Sequence, residues 1–160
     1  MQNTEDKKWW CNHGEGLERD FVLYWQKYSF IPIQINPEKK TNPYAPDLII
    51  GGEVADLKTQ TKPFRTAYRY DREPLYTVTF NRKDYERYSK EYPNILVVFW
   101  VKWLKSIYAI GFEELANLIK KAPEHHYIKR KNDTKGNAKS SFLLDIRDME
   151  RILVVPRGED

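Results

Sequence analysis

PDLIIGGEVADLKTQ, residues 46–60, holds two short apolar runs on either side of Gly51-Gly52. A Gly-Gly pair between such runs reads as a two-residue hairpin turn, because both central positions can take positive φ without steric cost. With the turn centred there, Ile50 pairs with Glu53, Ile49 with Val54 and Leu48 with Ala55, and Asp47 falls directly opposite Asp56. Side chains directly opposite across two strands stand about 4.5–5.5 Å apart at Cβ. Strand periodicity puts Asp47, Asp56, Lys58 and Gln60 on one face and Leu57 on the other. Glu53 falls away from that cluster.

Two opposed carboxylates in apolar strands repel each other, so something must compensate them. Lys58 is one candidate and a divalent cation is another. Carboxylate oxygens in a compact cluster suit Mg²⁺ or Mn²⁺, which prefer hard oxygen ligands and keep several waters. A metal there could polarise a phosphate and lower the pKa of a bound water. A lysine two residues along could orient or deprotonate that water, or stabilise developing charge.

The rest of the chain sets bounds on this chemistry. Its 160 residues suit a single domain, 1–160, with one sizeable core. Apolar residues at 41% and charged residues at 31% describe a folded globular chain rather than a disordered one. A net charge of +4 is compatible with a polyanionic partner. The single cysteine, Cys11, excludes an intrachain disulfide framework and a cysteine-rich zinc module, and it fits a reducing compartment. The polar start MQNTEDKKWW has no signal-peptide pattern, and the longest apolar run, residues 95–101, is too short to span a bilayer. A cytoplasmic protein with no membrane association is expected.

Hydrophobic spacing predicts a helix over residues 15–28, from Leu17, Phe21, Tyr24 and Tyr28, with Glu18 at the edge of its apolar face. Alternation predicts a strand over 30–36, closed by Pro37, and then a polar loop, EKKTNPYA. Residues 61–75 read as a long irregular stretch, and 76–80 as a strand. Asn81 can cap a helix over 82–91, with Asp84 favourably placed in its first turn. A buried strand over 95–103, a partner over 106–110 and a helix over 112–121 follow. Strands at 126–130 and 141–145, a basic loop between them, a short helix or turn and a frayed tail complete the reading.

Pro46-Asp47 followed by Asp56-Leu57-Lys58 resembles the signature of the PD-(D/E)XK nuclease superfamily. The resemblance implies an α/β fold with a restriction-endonuclease-like core, a central mixed β-sheet flanked by helices in the order αβββαβ. It covers roughly residues 15–103. It implies that Asp47, Asp56 and Lys58 are catalytic. Asp47 and Asp56 would ligate Mg²⁺ or Mn²⁺ with the Leu57 carbonyl, and Glu18, on the helix before the meander, would be a further ligand. Gln60 matches an auxiliary polar position found just beyond the lysine in some members. The long stretch 61–75 departs from many members, which enter the next helix directly, and the C-terminal third has no family counterpart.

The function these features imply is a metal-dependent endonuclease hydrolysing phosphodiester bonds, in DNA rather than RNA, with a homodimer as a way to cut two strands. Lys129, Arg130, Lys131, Lys135 and Lys139 form a basic loop that could contact nucleic-acid phosphates or simply be solvated. FRTAYRY, residues 64–70, could stack on bases or form buried packing under a loop. His125 and His126 alternate along a strand and do not make one zinc site. Cys11 and His13 lack two further ligands, and GEG at 14–16 lacks the phosphate-loop pattern. The alternative function is a non-catalytic nucleic-acid-binding module, or a subunit of a larger recombination or defence complex, in which Trp9-Trp10 could be a docking surface or equally part of the core. The intact acidic pair and lysine favour the enzyme.

Overall fold

The computed structural model describes residues 7–127 and 140–154, with side chains described for 16–127 and 140–153. Nine strands and three α-helices lie in these residues. Helix α1 is Lys7–Tyr28, followed by strands β1 (Ile33–Ile35), β2 (Leu48–Ile50) and β3 (Glu53–Gln60). Then come β4 (Thr77–Asn81), α2 (Arg82–Glu91), β5 (Leu96–Val101), β6 (Ser106–Gly111) and α3 (Phe112–Ile119). The chain closes with β7 (Glu124–His126), β8 (Ser140–Asp145) and β9 (Glu150–Val154).

Six strands form a mixed central sheet in the order β1-β2-β3-β5-β6-β9. The β3–β5 pair is parallel, and every other pair in that sheet is antiparallel. A second sheet, β4-β8-β7, is antiparallel throughout. The parallel pair is what brings α2 over the sheet, because two parallel neighbours require a crossover connection. Here the crossover contains β4 as well as α2.

The hairpin forms in the register read from the sequence: Ile50 pairs with Glu53, Ile49 with Val54 and Leu48 with Ala55. Gly51 and Gly52 take φ of 58° and 84°, conformations that glycine adopts freely. The sheet faces then separate by parity along each strand. On one face, Phe21 and Trp25 of α1 pack against Leu48, Ile50, Ala55, Leu57, Val98 and Trp100. On the other, Val97, Phe99, Val101 and Ile110 pack against Phe80, Phe142 and Leu144 of the second sheet, Tyr88 of α2 and Leu115 of α3. Asp56 and Lys58, alternating with Leu57, face the second of these cores.

Several expectations need correction. Helix α1 begins at Lys7 rather than at residue 15, so Gly14 and Gly16 lie inside it. A helical glycine costs about 1 kcal/mol against alanine, which weakens a helix without ending it. The first strand shortens to Ile33–Ile35, leaving Phe30 and Ile31 exposed. The polar loop contains a 3-10 turn, Pro37–Lys40, and the stretch after Gln60 contains two more, Arg65–Tyr70 and Pro74–Tyr76. The expected frayed tail is strand β9, an edge strand on β6. The strand read at 126–130 lies instead at Glu124–His126.

Candidate active site

The site starts from a feature of the hairpin. Extending its register by two residues would put Pro46 opposite Leu57, and proline has no N–H to offer that ladder position. The Pro46 carbonyl, the acceptor Leu57 N–H would use there, accepts instead from Asn36 Nδ2 at 3.0 Å, and Leu57 N–H donates to Asp47 Oδ2 at 2.9 Å. The Asp47 carboxylate therefore finishes the ladder where β2 stops and β3 runs on. Pro46 cannot supply the ladder hydrogen bond to the Leu57 carbonyl, which suits that oxygen to another cation or donor. The Leu57 side chain is buried on the α1 face, as strand alternation requires.

Asp47 and Asp56 stand together at the end of the hairpin, close enough for each to shift the other's titration. Asp56 is 3% exposed. Burial pushes its carboxyl up to about 7; Asp47 and Asp84 add to the rise and Lys58 opposes it. Burial would raise Asp47 too, but the contact with Asp56, the Lys39 ammonium and the Leu57 N–H together hold it below the usual carboxylate range. The two acids are thus pushed in opposite directions, with Asp47 the more acidic partner. Asp56 Oδ2 is fully buried and accepts no aligned hydrogen bond, although Lys58 Nζ stands 3.1 Å from it as an ion pair.

Lys58 is held from both sides. Its ammonium pairs with Asp56 and with Asp84 on the first turn of α2, and it lies 5.5 Å from the centroid of the Phe80 ring. Burial would lower its pKa, but the two carboxylates raise it above the ordinary lysine value. Held between the two carboxylates, it is a charged ammonium and a hydrogen-bond donor. Asp84 in turn accepts from Arg87 at 3.0 Å. Arg87 lies over the Tyr44 and Tyr88 rings, and the buried Tyr88 hydroxyl lies against Asp56. Asn81 positions all three α2 residues by accepting a hydrogen bond from Lys83 N–H at 2.8 Å, which fixes where the helix starts.

Glu18 reaches the same cluster from α1. Its carboxyl is raised to about 7 by burial first and then by Asp47. Lys39 stands between them, with Nζ 2.6 Å from Glu18 Oε1 and 2.7 Å from Asp47 Oδ1. The fold therefore brings Glu18, Asp47, Asp56 and Lys58 together. Gln60 shares the face of Asp56 and Lys58 at the far end of β3, half-buried. Among the described residues, no three Asp, Glu, His or Cys side chains already converge as a metal cage. The donors of Asp47 and Asp56 nevertheless fit a hard divalent cation: they are carboxylate oxygens, and one of them is buried with no aligned hydrogen bond.

Sequence reasoning alone does not single out Lys39, Asp84, Arg87 or Tyr88 as site residues. Asp84, Arg87 and Tyr88 share a helix face at spacings of three and four, a signal present in the sequence once Asn81 is read as the cap. Lys39 carries no such signal. Lys129, Arg130, Lys131, Lys135 and Lys139 lie outside the described residues, as do the side chains of Trp9, Trp10, Cys11 and His13. His125 meets the Tyr70 hydroxyl at 2.7 Å and packs edge-on to Phe64 and Tyr127, while His126 is exposed. In FRTAYRY, Ala67 is buried and Tyr68 exposed.

No helix among the described residues is long and apolar enough to cross a membrane. No protein-family model matches this sequence, and no curated protein matches it. Among solved structures, the chain is similar to D212, a nuclease from a fusselovirus, with 10% identity and a TM-score of 0.48 over 94% of this chain and 89% of that one. A likeness of that strength carries no inference about chemistry, which the side chains must supply.

Proposed function

We propose that this chain is a metal-dependent nuclease of the restriction-endonuclease-like, PD-(D/E)XK type that hydrolyses phosphodiester bonds in DNA. The observation that carries the reading is the Asp47–Asp56 pair with Lys58 on the same face, together with a buried Asp56 oxygen that accepts no aligned hydrogen bond. The order α1, β1-β2-β3, β4, α2, β5, with β5 parallel to β3, also supports the restriction-endonuclease-like core, with β4 added to the crossover.

Asp47 and Asp56 would hold Mg²⁺ or Mn²⁺, with the Leu57 carbonyl and Glu18 as further oxygen donors. When bound, such an ion supplies Lewis acidity toward a phosphate and a water of lowered pKa. Asp47 is held ionised and is ready to bind a cation, whereas burial makes Asp56 the harder of the two to ionise. Lys58 donates from a fixed ammonium, so it orients the attacking water or stabilises phosphate charge and does not take a proton. Asp84 holds Lys58 in that state and place. Gln60, two residues beyond Lys58 on the same face of β3, would be an auxiliary polar group.

Cleavage of labelled duplex, single-stranded and branched DNA and of RNA tests this, in Mg²⁺, in Mn²⁺ and in EDTA. Metal-dependent cutting of DNA supports the reading. Undiminished cutting in EDTA removes the metal site from it, and preferential cutting of RNA removes the substrate assignment.

A further inference from the structure

Lys39 is placed by the fold rather than by chance. The 3-10 turn that bears it, Pro37–Lys40, is capped by Asn36, which is 3% exposed. Asn36 N–H donates to the Asp47 carbonyl at 3.0 Å, and its Nδ2 donates to the Pro46 carbonyl at 3.0 Å. Its Oδ1 accepts from Glu38 N–H at 3.2 Å. One buried residue thus ties the turn to the Pro46–Asp47 peptide, and the turn delivers Lys39 to the Asp47 carboxylate. The same ammonium reaches Glu18 across the gap from α1. Its side chain is 21% exposed, so it can withdraw into solvent without unpacking the core.

We propose that Lys39 is a built-in counter-cation, which holds Glu18 and Asp47 together in the metal-free protein and which a divalent cation must displace in order to bind. This rests on the reading of the cluster as a metal centre. The charges favour an exchange over joint occupancy. Four carboxylates, Glu18, Asp47, Asp56 and Asp84, face three cations, Lys39, Lys58 and Arg87. If Lys39 leaves and one divalent ion enters, the cluster is formally neutral. If both stay, two positive centres compete for the same Asp47 oxygen at short range and repel each other. Lys39 Nζ stands between the Glu18 and Asp47 carboxylates, 2.6 Å from one and 2.7 Å from the other. The arrangement keeps the ligands assembled before metal arrives and sets metal affinity by competition.

The test is calorimetric titration of Mn²⁺ into wild-type protein, Lys39→Met and Lys39→Gln, without nucleic acid, with thermal unfolding in EDTA and in saturating Mn²⁺. Each displaced charge-assisted hydrogen bond is worth enough that both variants should bind Mn²⁺ about 10- to 100-fold more tightly than wild type. In EDTA both variants should unfold at lower temperature than wild type, and saturating Mn²⁺ should raise them by more degrees than it raises wild type. If wild type binds Mn²⁺ and neither variant that folds binds it more tightly, Lys39 is not a competitor and the inference is overturned while the metal site stands. If neither wild type nor the variants bind Mn²⁺, the metal-site reading fails and takes the inference with it.

Discussion

Replacing Lys58 with methionine keeps most of the apolar stem and removes the ammonium that stands 3.1 Å from the buried Asp56 oxygen. Asp84 keeps Arg87 as a partner, so the loss falls on Asp56. Breaking a buried ion pair by removing one partner costs about 3–5 kcal/mol when the remaining charge must stay ionised. Asp56 has an escape, because burial already holds its carboxyl at about 7 and Lys58 works against that rise. Without Lys58 its pKa climbs further. A carboxyl whose folded pKa lies above its unfolded value binds more protons folded than unfolded. Its contribution to stability is fully present below the unfolded value, near 3.8, and is lost as pH rises through the folded value. In wild type that loss runs from about pH 4 to pH 7, and in Lys58→Met it continues beyond pH 7. The variant should therefore lose little at pH 5 and about 1 kcal/mol more at pH 8, the worth of the one pH unit above the wild-type value of about 7, in urea unfolding with EDTA present. Single-turnover cleavage by the same variant should fall about 10²- to 10⁴-fold with metal binding retained. An equal stability difference at pH 5 and pH 8 would refute the pairing argument. A wild-type cleavage rate would make Lys58 only a structural counter-ion.

Two further outcomes bear on neighbouring residues. Asp84→Asn leaves Lys58 paired with Asp56 alone, so single-turnover cleavage should drop about tenfold and its alkaline limb should move to lower pH; an unmoved pH profile would remove Asp84 as a positioning residue. Neutralising Lys129, Arg130, Lys131, Lys135 and Lys139 together should weaken DNA binding about equally across sequences and flatten its salt dependence, by roughly one in slope for each phosphate no longer neutralised, as read by fluorescence anisotropy. An unchanged slope would make that segment a solvated surface.

What the sequence makes legible here is local. The Gly51-Gly52 turn fixes its own register, and the register alone sets Asp47 beside Asp56 and puts Lys58 on their face. Asn81 marks the start of α2 because a side-chain cap is a short-range device. The features that escape such reading depend on distant neighbours. Lys39 sits in a polar turn whose place is decided by Asn36 reaching Pro46 and Asp47, ten or more residues along the chain. Asp84 looks like an ordinary first-turn acid until the crossover lays α2 over β3. Strand β9 reads as a tail because its polar and apolar residues alternate weakly, and only the free edge of β6 gives it a partner. The extra turns of α1 are hidden by two glycines, whose local penalty the rest of the helix outweighs.

The central claim is that the opposed acids of the hairpin bind a divalent cation used to cut DNA. Single-turnover cleavage of labelled DNA by wild type and Asp56→Asn, in Mn²⁺ and in EDTA, tests it most directly. The account predicts cutting by wild type in Mn²⁺, none in EDTA, and a loss of about 10²-fold or more in Asp56→Asn, a change that keeps shape and removes a charged ligand. Cutting in EDTA, or an Asp56→Asn rate equal to wild type, would contradict it.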